Sequence, residues 1–425
     1  MPCSVNSGVK PIRIAVAGGN YAGLYAIQEL YASLLAKSTK ESPSERPPVE
    51  ITLIDRRDGF VHYIGITRGQ TEPLTFGAEL WVPYATVPWL QHAQIRVIQA
   101  TVLKITQNTV ELATNGEGNT VEFDYVIITL GESRFAPVGV ASSTKAEFIK
   151  ELAESHGRIQ AAQSVVVVGG GAVGIEMAAD IKSDFPDKQV TLIHSRALPI
   201  PGPFKDEFRR SVVDILQRDI GVDVVLGERV VRQTPESADM RYSDWGAAFG
   251  PEVVQSVSHD SKIDLELSSG RHIQADYVIR CVGTDRKHRV LSIKGDVFGS
   301  RGIRVRDTMQ IDGEYSGGHM FACGDICARD EVKLAGVAMY GGYIAGRNVA
   351  RLVLGLDSSR LEAAIKYPSK LLLLMGKKQW AFQMDDEIWD RERTRQHVHE
   401  DMGLAACVDR LALQRDPEFS DLSID

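Results

Sequence analysis

Two strand, glycine-turn, helix units of similar layout and a later apolar strand that ends in Gly-Asp predict an α/β fold. It holds two Rossmann-like dinucleotide-binding domains, the second inserted in the first, plus a small C-terminal segment. The expected division assigns residues 1–140 and 295–365 to the first domain, 141–294 to the second and 366–425 to the C-terminal segment. At 425 residues the chain exceeds what one ordinary core accommodates. Its 44% hydrophobic and 24% charged content are those of a globular protein.

The first unit opens with an apolar strand at Ile12–Ala17, followed by a turn reading Gly18-Gly19-Asn20-Tyr21-Ala22-Gly23. A helix is expected from about Tyr21 to Lys37. In this fingerprint the first glycine makes the tight turn, the middle one lets backbone approach a pyrophosphate, and the last permits close packing of helix on strand. Asn20 occupies the middle position, and because Asn tolerates positive φ the turn is expected to survive. A Pro/Ser/charge-rich loop spans Ser38–Pro48 and leads into the strand Val49–Asp55. Asp55 closes that strand as an acceptor for a ribose hydroxyl, with Arg56 beside it in the same nucleotide site. Alternation over Ile95–Ile105, Thr109–Leu112 and Val121–Phe123 reads as an antiparallel excursion. Tyr125–Leu130 then reads as a buried strand running to Gly131.

The second unit repeats the plan. Val165–Val168 is a strand, Gly169-Gly170-Gly171-Ala172-Val173-Gly174 the turn, Ile175–Ser183 a helix, and Val190–His194 the next strand. A strand at Tyr277–Val282 ends at Gly283, matching Tyr125–Gly131. Gly169, Gly171 and Gly174 take the three glycine roles, and the helix start offers free N–H groups to phosphate. Residues Pro235–His259 interrupt this copy as an insertion loop. Where the first unit has Asp55, the second has His194-Ser195-Arg196. An acid there favours the 2′-hydroxyl of NAD, whereas Arg196 can pair with the 2′-phosphate of NADP, or is simply a solvated loop residue.

Other classes are disfavoured. A net charge of −8 argues against a nucleic-acid partner. No apolar run reaches the roughly 18 residues of a transmembrane segment. The first residues lack signal-peptide order, and Pro2 excludes N-myristoylation. The five scattered cysteines, Cys3, Cys281, Cys323, Cys327 and Cys407, read as reduced thiols, which makes a cytoplasmic location the expectation. No Cys/His cluster has zinc spacing, so no metal is expected.

Taken in order, GGNYAG, TLGES, GGGAVGIE, VTLIHS, CVG and CGD resemble the two-dinucleotide-binding-domain flavoproteins of the pyridine nucleotide-disulfide oxidoreductase superfamily. Val190–Ser195, Phe60-Val61-His62-Tyr63 and Lys370–Gly376 are similar to the apoptosis-inducing-factor-like branch that includes the ferroptosis-suppressor quinone reductases. The resemblance spans roughly residues 10–380. It implies FAD on the first domain, NADH or NADPH on the second, and hydride passed through the flavin to a small-molecule electron acceptor, a quinone in this branch. Gly131 and Gly283 then line the nucleotides, Gly324-Asp325 places a carboxylate on the flavin ribityl chain, and Lys333 precedes a helix aimed at the flavin. Glu176 is assigned a positioning role near the nicotinamide, and His62 and Lys333 are candidates beside the flavin. Asn20, the 235–259 insertion and the absence of a myristate acceptor depart from the branch. A homodimer and a peripheral membrane contact stay open. Residues 56–80 hold no Cys and Cys281 stands alone, which argues against a disulfide reductase. The alternative readings are an FAD oxidase or monooxygenase-type tailoring enzyme, and an NAD(P)H-sensing redox-signalling flavoprotein.

Overall fold

The computed structural model describes residues 10–36, 47–113, 119–134, 136–234, 262–282, 285–286, 290–292, 297–299, 301–313 and 317–412. Gly283, Cys3 and the 235–259 insertion lie outside the described residues. The elements that position the site are β1 (Ile12–Ala17), α1 (Tyr21–Leu30), β2 (Val49–Asp55), β3 (Ile95–Gln99), β4 (Tyr125–Ile128), α2 (Lys145–Ala161), β5 (Ser164–Val168) and α3 (Ala172–Asp184). They continue with β6 (Gln189–His194), β7 (Asp223–Leu226), β8 (Tyr277–Arg280), β9 (Met320–Ala322), α4 (Ala335–Val353) and β10 (Lys370–Met375).

Two parallel sheets organise the chain. The first has the order β9-β4-β1-β2-β3, the second β7-β6-β5-β8. Every residue of β5, read SVVVV, is buried, as expected of a parallel strand covered on both faces. In each sheet the chain reverses its direction of winding beside the strand that carries the glycine turn, between β1 and β4 and between β5 and β8. Such switch points open a crevice at the carboxyl ends of the strands, and both glycine turns stand there.

Two expectations change. The alternating stretch Ile95–Ile105 is two elements: β3 pairs in parallel with β2, and only Thr101–Ile105 enters the antiparallel sheet with Thr109–Ala113 and Asn119–Glu122. As an edge strand β3 has one covered side, so its polarity alternates like that of an antiparallel strand. After Met320–Asp325 the sequence predicts a long helical stretch to Lys366, but the helix ends at Val353, because Gly355 turns into the left-handed region at φ +81°.

Beyond α4, β10 pairs with Gln379–Met384 and that strand with Glu387–Trp389, forming a small antiparallel sheet. Leu371, Leu373 and Met375 turn into the core shared with α2 and α3. Among the described residues no helix is long and apolar enough to cross a membrane.

Candidate active site at the two glycine turns

The two turns share their backbone geometry. Gly18 has φ +109° and donates its N–H to Ile54 O at 2.8 Å; Gly169 has φ +119° and donates to Ile193 O at 2.8 Å. A β-carbon on Gly23 would stand 1.8 Å from Gly18 O, and one on Gly174 would stand 1.8 Å from Gly169 O. Both third glycines are therefore demanded by contact between helix and turn.

The middle position behaves differently from the sequence expectation. Asn20 sits at φ −95° and Gly171 at φ −81°, so neither uses positive φ. Asn20 is tolerated as the N-cap of α1, where its Oδ1 accepts the Tyr21 N–H at 3.0 Å. A β-carbon on Gly171 would meet nothing within 4 Å, which leaves open space over the start of α3. The second glycines are closed in: Gly19 O accepts the Tyr84 hydroxyl at 2.9 Å, and Gly170 O accepts the Ile200 N–H at 2.7 Å.

Each turn is tied to the last residue of the neighbouring strand. Asp55 Oδ2 accepts the Gly19 N–H at 2.6 Å, and its Oδ1 accepts the Arg57 N–H at 2.8 Å. At the equivalent place His194 Nδ1 accepts the Gly170 N–H at 3.1 Å. Arg56 turns away from the turn and donates to the Ala141 and Val140 carbonyls, bracing the strand end against the linker to the second domain. Arg57, which sequence reasoning passed over, reaches the Tyr63 hydroxyl at 2.5 Å. Arg196 is exposed, while its carbonyl accepts the Gly227 N–H at 2.9 Å.

The Gly-Asp segment stands beside the start of α1. Gly324 has φ +80°, and a β-carbon there would approach Ala22 to 3.3 Å, so Gly324, Ala22 and the first turn are neighbours. The Asp325 carboxyl lines a cleft with Lys333, Arg329 and Tyr340. Burial raises its pKa, opposed by the Lys333 ammonium. Lys333 Nζ donates to Cys327 O at 2.5 Å. Helix α4 begins two residues later without a side-chain cap or an acidic residue in its first turn, so its free N–H groups and positive end remain available to an anionic partner. Gly131 has φ +64° with open space where a β-carbon would project.

Glu176 faces the C-terminal sheet, its Oε1 accepting the Leu374 N–H at 3.3 Å. One turn along α3, Asp180 accepts the Thr67 hydroxyl at 2.9 Å and lies 3.7 Å from Arg68. Burial and the neighbouring Asp180 push Glu176 up to about 8; burial pushes Asp180 up to about 7, against the pull of Arg68. His62 is fully buried: Nε2 donates to Met402 O at 3.0 Å and Nδ1 accepts the Tyr21 hydroxyl at 3.2 Å. The structure thus gathers Gly324, Asp325, Lys333 and Ala22 at one locus, places Glu176 against β10, and occupies both nitrogens of His62 in joining α1 to the C-terminal segment. Tyr84 and Leu374 have no motif to announce them, and Tyr21 stands inside the first turn motif without a role assigned by it. Among the described residues the cysteines are free, and burial pushes Cys281 and Cys327 up to about 12 and Cys407 up to about 11.

The pyridine nucleotide-disulphide oxidoreductase model matches residues 12–342. The chain is 31% identical to Oxidoreductase OXR1 of Ajellomyces capsulatus, covering 98% of this chain and 90% of that one. It is 26% identical to human Ferroptosis suppressor protein 1 over 88% of each, and 24% identical to Apoptosis-inducing factor homolog B of Dictyostelium discoideum over 82% and 83%. Among solved structures, the NADH-bound water-forming NADH oxidase of Lactobacillus brevis superposes with a TM-score of 0.61 at 22% identity, covering 91% of this chain and 77% of that one. The NAD-dependent persulfide reductase of A. fulgidus superposes with a TM-score of 0.62 at 18% identity, and this chain covers 91% of itself but 65% of that chain. The chain belongs to the pyridine nucleotide-disulphide oxidoreductase family, in its apoptosis-inducing-factor-like and ferroptosis-suppressor branch, and is an NAD(P)H-dependent flavoprotein oxidoreductase with FAD as its flavin.

Proposed function

We propose that this protein takes a hydride from NADH or NADPH at the second glycine turn and delivers the electrons through FAD to a quinone. The observation that carries the reading is the pair of matching turns at two switch points, with space left open over Gly171 and an uncapped helix behind Asp325. In this reading residues 1–140 and 295–365 hold FAD, 141–294 hold NAD(P)H, and 366–425 form an interface segment.

FAD, when bound, supplies the two-electron relay between nucleotide and acceptor. Gly18, Gly19, Asn20, Ala22 and Gly23 seat its pyrophosphate on the start of α1, and Asp55 offers its remaining lone pairs to the adenosine ribose. Gly131, Gly324 and Asp325 hold the ribityl end, and Lys333 with the start of α4 favours negative charge on the flavin pyrimidine. Gly169, Gly171, Gly174, His194, Arg196 and Gly283 receive NAD(P)H. Glu176, held by the Leu374 amide, orients the nicotinamide end and keeps a proton near neutral pH. His62 acts by positioning, because it locks Tyr21 at the start of α1. The described thiols, Cys323 and Cys327 buried and Cys281 and Cys407 partly buried, are poorly acidic, which favours direct transfer to a dissociable acceptor over a dithiol relay.

The test is anaerobic reduction of the flavin by NAD(P)H, followed by stopped-flow reoxidation. Reoxidation by a short-chain quinone that outpaces dissolved oxygen is expected. Faster reoxidation by oxygen, with no response to quinone, refutes the quinone assignment and supports an oxidase.

A further inference from the structure

Helix α3 is buried along most of its length, yet one line of it is acidic. Glu176, Asp180 and Asp184 stand four residues apart and so share one face, each a turn beyond the last. Helix formation does not ask for these residues. Asp is a weak helix former, and an acid in the last turn opposes the helix dipole. Burying a carboxylate costs more still, which makes the central Asp180, 2% exposed, the residue to explain.

The acidic line joins the candidate site to solvent. At its inner end Glu176 accepts the Leu374 N–H and is only half-buried, so its carboxyl group keeps accessible surface. At the outer end Asp184 lies 3.0 Å from Lys377, which is 52% exposed and also lies 2.6 Å from Glu72. Asp180 stands between them. Its Oδ2 accepts the Thr67 hydroxyl at 2.9 Å, and Arg68 lies 3.7 Å away with its guanidinium donating to the Gly376 and Glu400 carbonyls. In this cluster the carboxyl groups of Glu72, Glu176, Asp180 and Asp184 meet the cations of Arg68 and Lys377. An excess of acid in a buried cluster is relieved by holding protons. Burial, then Asp180, pushes Glu176 up to about 8; burial, with Asp184 and Glu72 and against Arg68, pushes Asp180 up to about 7.

We propose that Asp180 relays protons, taken up from solvent at Asp184, to Glu176, from which the quinone receives the proton that its reduction consumes. The relay rests on the quinone acceptor proposed above. The balanced reaction is NAD(P)H + quinone + H+ → NAD(P)+ + hydroquinone. The hydride carries both electrons and one hydrogen, and the second hydrogen arrives as a proton on the other quinone oxygen. Glu176 gives up that proton, Asp180 replaces it, and solvent reloads Asp180 through Asp184. Residues one turn apart on a helix face have β-carbons about 5–6 Å apart, a gap that a carboxyl rotation or one water closes.

The test is stopped-flow reoxidation of the NAD(P)H-reduced protein by a short-chain quinone and by ferricyanide, which accepts electrons without protons. Asp180→Asn keeps the size and an acceptor for Thr67 but cannot carry the proton. It is expected to slow reoxidation by quinone about tenfold or more, as loss of acid catalysis does, while reoxidation by ferricyanide holds. In wild type the quinone rate is expected to fall as pH rises through 7 and 8, where the two carboxyl groups lose their protons, and the ferricyanide rate is not. Equal slowing with both acceptors means that Asp180 only supports the fold, and an unchanged quinone rate removes it from proton delivery; either result overturns the relay. If wild-type protein responds to ferricyanide but to no quinone, the acceptor reading fails and the relay falls with it. A readout apart from turnover is infrared absorption by protonated carboxyl groups at pH 6, below the value for Asp180. Asp180→Asn is expected to remove intensity there, and identical spectra overturn the relay. If Asp180→Asn does not fold, Asp184→Asn at the exposed end decides: slowing with quinone alone is expected, and an unchanged rate breaks the path.

Discussion

The carbonyl oxygen of Ala22 lies 2.1 Å from where a β-carbon on Gly342 would stand, so α1 and α4 cross with their backbones in contact. The contact repeats one turn further along, where a β-carbon on Gly346 would come within 2.4 Å of Ala26 O. This crossing sets the start of α1, at the first glycine turn, relative to the start of α4, beside Asp325. Both ends of the proposed FAD site therefore depend on one glycine-lined helix contact.

Gly342→Val is expected to push these helices apart. Overpacking of this kind costs about 1–3 kcal/mol, and here the neighbour is backbone that cannot rotate away. The variant should show a lower melting temperature and a lower FAD-to-protein absorbance ratio than wild type. Wild-type values of both would mean that the crossing relaxes without disturbing the site.

Asp325→Ala is expected to reduce flavin occupancy while the fold persists. The carboxylate lines the cleft at the start of α4, and loss of a charge-assisted bond to a ribityl hydroxyl costs about 1.5–3 kcal/mol. Denaturing release and quantification of the flavin checks this, and the released flavin should be FAD. Undiminished occupancy would remove Asp325 from the flavin site.

Gly171→Val fills the open space over the start of α3 without a clash inside the protein. FAD content and stability should stay at wild-type levels, and bleaching of the flavin by NAD(P)H should be abolished. Loss of FAD together with intact nucleotide binding would show that the two domains had been assigned the wrong way round.

Stability should fall as pH rises from the acid side of neutrality. Glu176 moves from 4.5 to about 8 and Asp180 from 3.8 to about 7, so the folded protein holds protons that the unfolded chain has already lost. Their contribution is fully present below the unfolded values and is lost as pH climbs through the folded ones. Melting temperature should therefore decline between pH 5 and pH 8, within the span set by those shifts. Glu176→Gln should flatten that decline. An identical slope in the variant would show that Glu176 is ionised in the folded protein at neutral pH.

Much of this architecture is legible in local patterns. The glycine spacing after two apolar strands announces both turns, and the strand-end positions of Asp55 and His194 follow from counting residues along the next strand. The roles of Gly23 and Gly174 were also legible, because a glycine three residues after the middle position implies helix packing on the turn. The reason offered for Asn20 was not. Its place in the fingerprint pointed to positive φ, whereas the folded turn puts that demand on Gly18 and uses Asn20 as a cap. The Ala22/Ala26 and Gly342/Gly346 pairs carry four-residue spacing that was visible, but only their meeting gives the spacing significance.

The two nucleotide-binding units, their order and the chemical character of their strand ends are encoded locally, because turn dihedrals and strand burial depend on residues a few positions apart. Tertiary structure decided which polar groups satisfy which. His62 bonds to Met402, 340 residues away, and Glu176 to Leu374, 198 residues away. Arg56, beside Asp55 at the strand end, donates to the Ala141 and Val140 carbonyls, some 85 residues along the chain. No local periodicity encodes such pairings. A buried donor or acceptor takes whichever partner packing brings within reach, and that is settled only when the two sheets and the C-terminal segment close on one another.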